Sequence, residues 1–176
     1  MINVICVLLW LFALWKWGDW KNWEKYYGTI LFFMLGDFLY LYLLSDHYPM
    51  WKYTPPDLFG KYDLANTHIS LAIILVKYPA TILIFLPKFP AQNIFKQILY
   101  FAFWVALYGV NELIDLQLNN ITYDNGWTFW WSVLFNAVMF FILWIHSKKP
   151  LVAWLLSIIF IVYLWQTFDV PGIVFR

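Results

Sequence analysis

The chain has 176 residues, of which 64% are hydrophobic, 24% aromatic and only 12% charged. A soluble domain carries about a quarter charged residues, so this composition excludes an ordinary water-facing surface. The net charge of +1 gives no field to hold nucleic acid. The lone Cys6 excludes an internal disulfide framework and a cysteine metal cluster. The expected fold is all-α: a polytopic transmembrane helix bundle of about six spans, forming one domain over 1–176.

The first apolar run, about 2–17, lacks the basic n-region and small-residue cleavage site of a signal peptide and is read as a retained span. It is short, so it thins the bilayer locally or leans on longer neighbours. The next segment, KWGDWKNWEKYYG, places Trp20, Trp23 and Tyr27 at helical spacing, with Lys21, Glu24 and Lys25 on another face. That suits a short amphipathic helix in the headgroup layer; the alternative is a plain turn between helices.

The second run, about 28–45, carries Asp37 near its middle, and the third, about 68–86, carries Lys77. Each approaches the ~20 residues that cross ~30 Å of hydrocarbon as a helix. The loop 46–67 between them contains Pro49, Pro55, Pro56 and Gly60, which force turns. The fourth run spans about 94–115, the fifth 127–146 after the turn signal DNGW, and the sixth 150–168. All are continuously apolar rather than alternating, which favours helices over a barrel.

Most of the thirteen Trp residues fall at span ends and read as an interfacial belt, with Trp10 and Trp104 as mid-span exceptions that fill the core or line a cavity. The loops after the odd-numbered spans carry Lys16, Lys21, Lys25, Lys88, Lys96, Lys148 and Lys149, against Lys52, Lys61 and Arg176 on the other side. This bias places the odd loops in the cytoplasm and both termini outside it.

Asp37 and Lys77 are the central candidates. Charge in hydrocarbon is costly, so an intramembrane ionisable residue is either paired or used. The two reach similar depth from consecutive spans. Lys77 lies about 12 Å from either end of its helix by helical rise, and Pro79 frees the carbonyl of Leu75. Two readings stay open: a lock between two helices, or a protonatable gate or ligand counter-ion. A retinal-type Schiff base at Lys77 does not fit six spans.

Other polar residues gather in the outer half. Tyr108, Asn111, Glu112 and Asp115 share one stripe of the fourth span; Asn136 and Ser132 belong to the fifth, and His68 opens the third. They suggest a polar vestibule open to the extracytoplasmic side with Asp37 and Lys77 at its floor, or alternatively a set of interhelical hydrogen bonds without a cavity. No HExxH or clustered His spacing marks a metal site, no GxSxG, P-loop or Rossmann glycine pattern is present, and no cofactor can be named. His146, beside Lys148 and Lys149, reads as part of the basic inner edge, and Asn120-Ile-Thr is a formal glycosylation sequon.

The ordered set WGDWKNWEKYY (17–27), GDFLY (36–40), YPMWKY (48–53), KYPATILI (77–84), NGWTFWWS (125–132) and KKPL (148–151) resembles an uncharacterised family of small multi-pass membrane proteins of spore-forming Gram-positive bacteria. The resemblance implies a bacterial plasma-membrane location and assigns no site residues. In size and Trp content the chain is also similar to the translocator-protein class of five-span ligand binders, from which its sixth span and missing motifs set it apart. Three functions follow as expectations. The first is binding or transport of a small solute or lipid-like ligand in the outer pocket. The second is a membrane-embedded enzyme on a lipid substrate using Glu112, Asp115 and His68. The third is an accessory subunit of a membrane complex. Membrane lipids and a small-molecule ligand are the expected partners; protein partners and oligomeric state are not legible.

Overall fold

Continuous apolar runs in a lipid setting must satisfy every backbone N–H and C=O within the segment, and the helix does so. A computed structural model describes residues 2–53 and 71–175. Its helices are α1 (Ile2–Trp17), α2 (Trp23–Leu43), α3 (Ile73–Phe85), α4 (Ile94–Gln117), α5 (Phe129–His146) and α6 (Pro150–Thr167). Among the described residues, four segments, Trp20–Leu43, Ile94–Gln117, Phe129–His146 and Pro150–Thr167, are long and apolar enough to cross a membrane, which fits an integral membrane protein. Val7–Trp17 and Ile73–Phe85 are shorter apolar helices.

The C-terminal half of α3 is the most enclosed part of the bundle. Ala80 through Phe85 are all buried, so this half of the helix is enclosed by protein, while Leu75 in its first half stands exposed. It packs against α1 and α2, and Phe85 meets Tyr100 and Trp104 of α4 and Phe140 of α5 at 5.1–5.7 Å between ring centroids. The outer helices do the opposite. Of α6 only Ala153 and Leu164 are buried, and Leu151, Leu155, Ile158 and Ile159 stand exposed, as a lipid-facing surface requires.

Local chemistry sets the helix ends. The Asn93 side chain accepts from the Lys96 N–H at 3.1 Å and caps α4. Pro150 occupies the first turn of α6, where its missing N–H costs nothing. Asn125 and Gly126 both have positive φ (51° and 81°), and Trp127 N–H returns to the Asp124 carbonyl at 3.0 Å. The DNGW signal is therefore a tight turn of the kind that Asn-Gly favours.

Between α1 and α2, the segment expected to form an interfacial helix is a single 3-10 turn, Trp20–Asn22, running directly into α2. Asp19 N–H bonds the Leu83 carbonyl at 3.0 Å, which ties this turn to the end of α3. The opposite end of the bundle carries a feature absent from the sequence reading. Strand β1 (Trp51–Tyr53) pairs antiparallel with β2 (Ile121–Tyr123), with Trp51 opposite Tyr123 and Tyr53 opposite Ile121. This two-stranded ribbon joins the ends of α2 and α4. We call this the strand end and the other the lysine-rich end.

The buried side chains form two groups. One surrounds Phe85, Trp104, Phe140 and Leu143 toward the lysine-rich end. The other packs Leu44, Met50, Trp127, Leu164, Phe168 and Val170 at the strand end. Trp15, Trp17, Trp20, Trp23, Trp130 and Trp154 are exposed, as an interfacial belt would require. The belt reading fails for Trp127, which is only 4% exposed and stacks among Trp51, Trp131 and Phe168. Turn geometry folds that ring inward, and sequence position alone could not show it. Trp104 is core, as expected, and Trp10 packs partly buried against it.

Candidate functional site

Lys77 ends a π-helical stretch, Ile73–Lys77, two residues before Pro79. Proline cannot donate to the carbonyl four residues back, and here the Tyr78 N–H bonds the Ile73 carbonyl instead. Such single-turn π insertions re-aim side chains and recur at functional sites. The Lys77 ammonium lies 4.4 Å from the Tyr108 ring centroid and 5.9 Å from that of Trp10. Trp10 in turn meets Tyr108 edge-on at 6.1 Å. The Tyr108 ring is fixed from its other end. Thr81 Oγ1 donates to the Lys77 carbonyl at 2.7 Å and lies 2.6 Å from the Tyr108 hydroxyl. A hydroxyl has one proton, so Tyr108 donates to Thr81.

On α2, Asp37 faces the same space. Tyr78 stacks on Phe33 at 3.8 Å and directs its hydroxyl at the Asp37 carboxylate. One turn on, the Tyr40 hydroxyl accepts from Met50 N–H (3.1 Å) and Trp51 N–H (3.0 Å) and donates to the Trp51 carbonyl (2.7 Å). Its ring stacks on Trp51 at 4.0 Å. Tyr40 thus satisfies three backbone groups of the ribbon at once and holds it over the polar end of α2.

The third group belongs to α4. Glu112 Oε1 accepts from the Tyr123 hydroxyl at 2.6 Å and from Ser132 Oγ at 2.5 Å, while Trp127 Nε1 donates to Ser132 Oγ at 2.8 Å. Burial, reinforced by the adjacent Glu112 carboxylate, raises the Tyr123 hydroxyl above its ordinary range, which keeps it protonated as a donor. Burial likewise raises the Tyr53 hydroxyl, with Asp115, Asp37 and Glu112 adding in that order. Asp115 takes the Asn120 amide at 3.1 Å, and its own carbonyl takes the Asn120 N–H at 2.8 Å, so it closes the end of α4.

These groups wall a cavity of about 320 Å³ between α2, α3, α4, α5 and α6. Of the candidates from sequence, Asp37, Lys77, Tyr108, Glu112, Asp115 and Asn136 line it. Asn111 does not: its amide donates to the Leu107 carbonyl of its own helix at 2.8 Å. His68 lies outside the described residues. Asn136 is 7% exposed, and no hydrogen bond joins its side chain to any described residue. The fully buried side-chain groups left without a partner among the described residues are Trp104 Nε1 and Trp144 Nε1, not the Asn136 amide, so that amide is open to the cavity it lines.

The cavity also has a side. Leu35, Leu39 and Ile161 line it yet are 50%, 42% and 38% exposed, so it reaches the outer surface between α2 and α6. The slot is bounded by one contact between the two helices and one between the segments just beyond their far ends. Phe32 meets Trp154 edge-on at 4.8 Å, and the Tyr48 hydroxyl donates to the Phe168 carbonyl at 2.8 Å.

Tyr40, Tyr78 and Tyr123 were missed in the sequence. Tyr40 and Tyr78 had a signal, one helical turn from Asp37 and next to Lys77 respectively; Tyr123 reaches Glu112 only through the ribbon. At the lysine-rich end His146 departs from its reading as a basic edge. It is buried, its Nδ1 is 3.0 Å from Thr29 Oγ1, and its ring stacks on Phe32 at 4.2 Å. Among the described residues no three His, Cys, Asp or Glu side chains converge as a metal site would require.

No protein-family model, curated protein or solved structure matches this chain.

Proposed function

We propose that this is a multi-pass membrane protein that binds, and in a transport cycle carries, a lipid-like ligand in the cavity between α2 and α6. The observation that carries the reading is the join of two environments in one space. A wall of Asp37, Lys77, Glu112 and Asn136 faces an apolar wall of Phe160, Ile161 and Leu164, and the space opens sideways through exposed leucines. Concave, largely apolar sites with a few convergent polar groups are the usual form of a ligand pocket. The Asn136 amide, lining the cavity with no hydrogen bond to a described residue, supports an occupant with a hydrogen-bonding group. The sequence reading placed the opening toward the extracytoplasmic side; the ribbon and the Trp127–Phe168 cluster cover that end, so we assign access to the lipid side.

The setting we assign is a bacterial plasma membrane with both termini extracytoplasmic. It rests on the sequence resemblance and on the lysine bias of the odd loops. The enzyme reading is weaker, because Glu112 and Asp115 already accept from protein donors. An accessory-subunit role has no specific contact in its favour.

The test is native mass spectrometry of protein released from its own membrane in a mild detergent. A co-purifying lipid or amphiphile is expected, reduced at least about tenfold in Ser157→Trp, which fills the slot from the α6 side. Equal retention by both proteins would place the bound molecule elsewhere and remove the reading.

A further inference from the structure

The polar wall of the cavity is unbalanced in charge. Among the described residues that line it, the carboxylates Asp37, Glu112 and Asp115 meet the single ammonium of Lys77. A carboxylate only accepts hydrogen bonds, so acceptors outnumber donors there. Glu112 and Asp115 have donors from Tyr123, Ser132 and Asn120. The Lys77 ammonium is drawn onto the Tyr108 ring. Asp37, on the α2 side, takes the Tyr78 hydroxyl and shares the charge of Lys77 with Glu112. Asn136, buried and without a described partner, adds a carbonyl and an amide to the same wall.

Phe33, Tyr40, Trp51 and Tyr78 add aromatic rings to a lining that is aliphatic at Leu35, Leu39 and Leu41. Ring faces attract cations, more strongly as water is excluded, and Lys77 over Tyr108 and Trp10 shows this protein using that contact. An anionic head in this place would face three carboxylates at low dielectric, where like charges repel strongly. The slot runs from Phe32 to Leu44 along α2, about 18 Å by helical rise, and its α6 wall is apolar.

We infer that the ligand is a cationic amphiphile, an ammonium or methylated ammonium on an apolar chain, with Asp37 as counter-ion and the chain lying in the α2–α6 slot. This rests on the cavity being the ligand site. The head is held between the Asp37 carboxylate and the aromatic faces, with Asn136 accepting from any N–H it carries. The chain leaves along Phe160 and Ile161 toward lipid.

The experiment uses the full-length protein in phosphatidylcholine nanodiscs and three probes of equal chain length, each brominated near the chain end: dodecyltrimethylammonium, dodecyl sulfate and dodecanol. Bromine quenches tryptophan on contact, and Trp51, Trp127, Trp154 and Trp165 line the cavity. Saturable quenching by the ammonium probe is expected, at least about tenfold tighter than by the sulfate. That preference is expected to fall to within about twofold in Asp37→Asn and to persist in Asp37→Glu. Equal or tighter saturable binding of the sulfate or the alcohol would overturn the cationic head while leaving the cavity as a ligand site. No saturable quenching by any probe would remove the ligand site itself. The comparison of probes on the unaltered chain decides the question even where Asp37→Asn does not fold.

Discussion

The two ends of this bundle solve the same packing problem with different chemistry. Toward the lysine-rich end, α3 is encased by rings: Phe85 touches Tyr100, Trp104 and Phe140, and Phe89 touches Phe101 and Trp144. Lysines stay at the rim with their ammonium groups over Trp faces, Lys148 at 4.0 Å from Trp144 and Lys16 at 5.1 Å from Trp17. Toward the strand end, charged and hydroxyl groups are drawn inside, and hydrogen bonds from a two-stranded ribbon organise them. The first region is filled; the second is walled around a space. Apolar helices need no cavity to pack in lipid, since dispersion contacts suffice. A cavity lined by Asp37, Lys77 and Glu112 costs stability and is therefore the region to associate with function.

The comparison breaks first at Phe85. Phe85→Ala removes the ring at the centre of the filled half, fully buried in the structure. A loss of about 3 kcal/mol or more is expected, read as a lower midpoint in denaturant unfolding of reconstituted protein, with the ligand preference of the folded fraction unchanged. A loss under about 1 kcal/mol would mean that the filled half is no tighter than the walled one.

Ser132→Ala is the next step down. It removes one donor from Glu112 and leaves Trp127 Nε1, now bonded to Ser132 Oγ, without its acceptor. About 2 kcal/mol is expected from the orphaned groups, with the Trp127 fluorescence shifting as its environment changes. Thr81→Val should cost about 1 kcal/mol. It cuts the link from the Lys77 carbonyl to the Tyr108 hydroxyl and frees the ring under the ammonium, so the stability loss should be shared by Tyr108→Phe and not add to it. Full additivity in that double-mutant cycle would disprove the linkage.

Asn136→Leu has the smallest expected effect on stability. An ordinary buried Asn would lose its bonds; this one has no partner among the described residues, so unfolding should shift by less than about 0.5 kcal/mol or toward greater stability. Binding of an amphiphile that bonds this amide should weaken about tenfold. A large loss of stability would show that the side chain has a structural bond and is not turned to the cavity.

Much of the site was legible because membrane burial makes every polar residue informative. Asp37, Lys77, Tyr108, Glu112, Asp115 and Asn136 stood out by depth alone, and the structure gathers them around one space. Asn111 shows the limit of that reasoning. It shares a stripe with Tyr108 and Glu112, yet its amide bonds the Leu107 carbonyl, an option open to any helical Asn. Tyr40 and Tyr123 show the converse. Each lies in an aromatic-rich region where belt duty was the simplest reading, and only strand pairing gives their hydroxyls partners.

What the sequence determined by itself was the helical class and the approximate bounds of the apolar runs, because backbone satisfaction in lipid leaves a continuous apolar run few other solutions. It also determined that Pro79 disturbs the helix at Lys77, since a missing N–H acts on its own chain. Tertiary structure decided the rest. Pairing β1 with β2 joins segments about 70 residues apart, and neither strand carries a local pattern strong enough to announce it. The Trp127 ring turns inward because Ser132 and Phe168 receive it. The slot is formed by residues of both α2 and α6, bounded by the Phe32–Trp154 contact and the Tyr48–Phe168 bond. Those are relations between surfaces brought together by folding, and no residue encodes them alone.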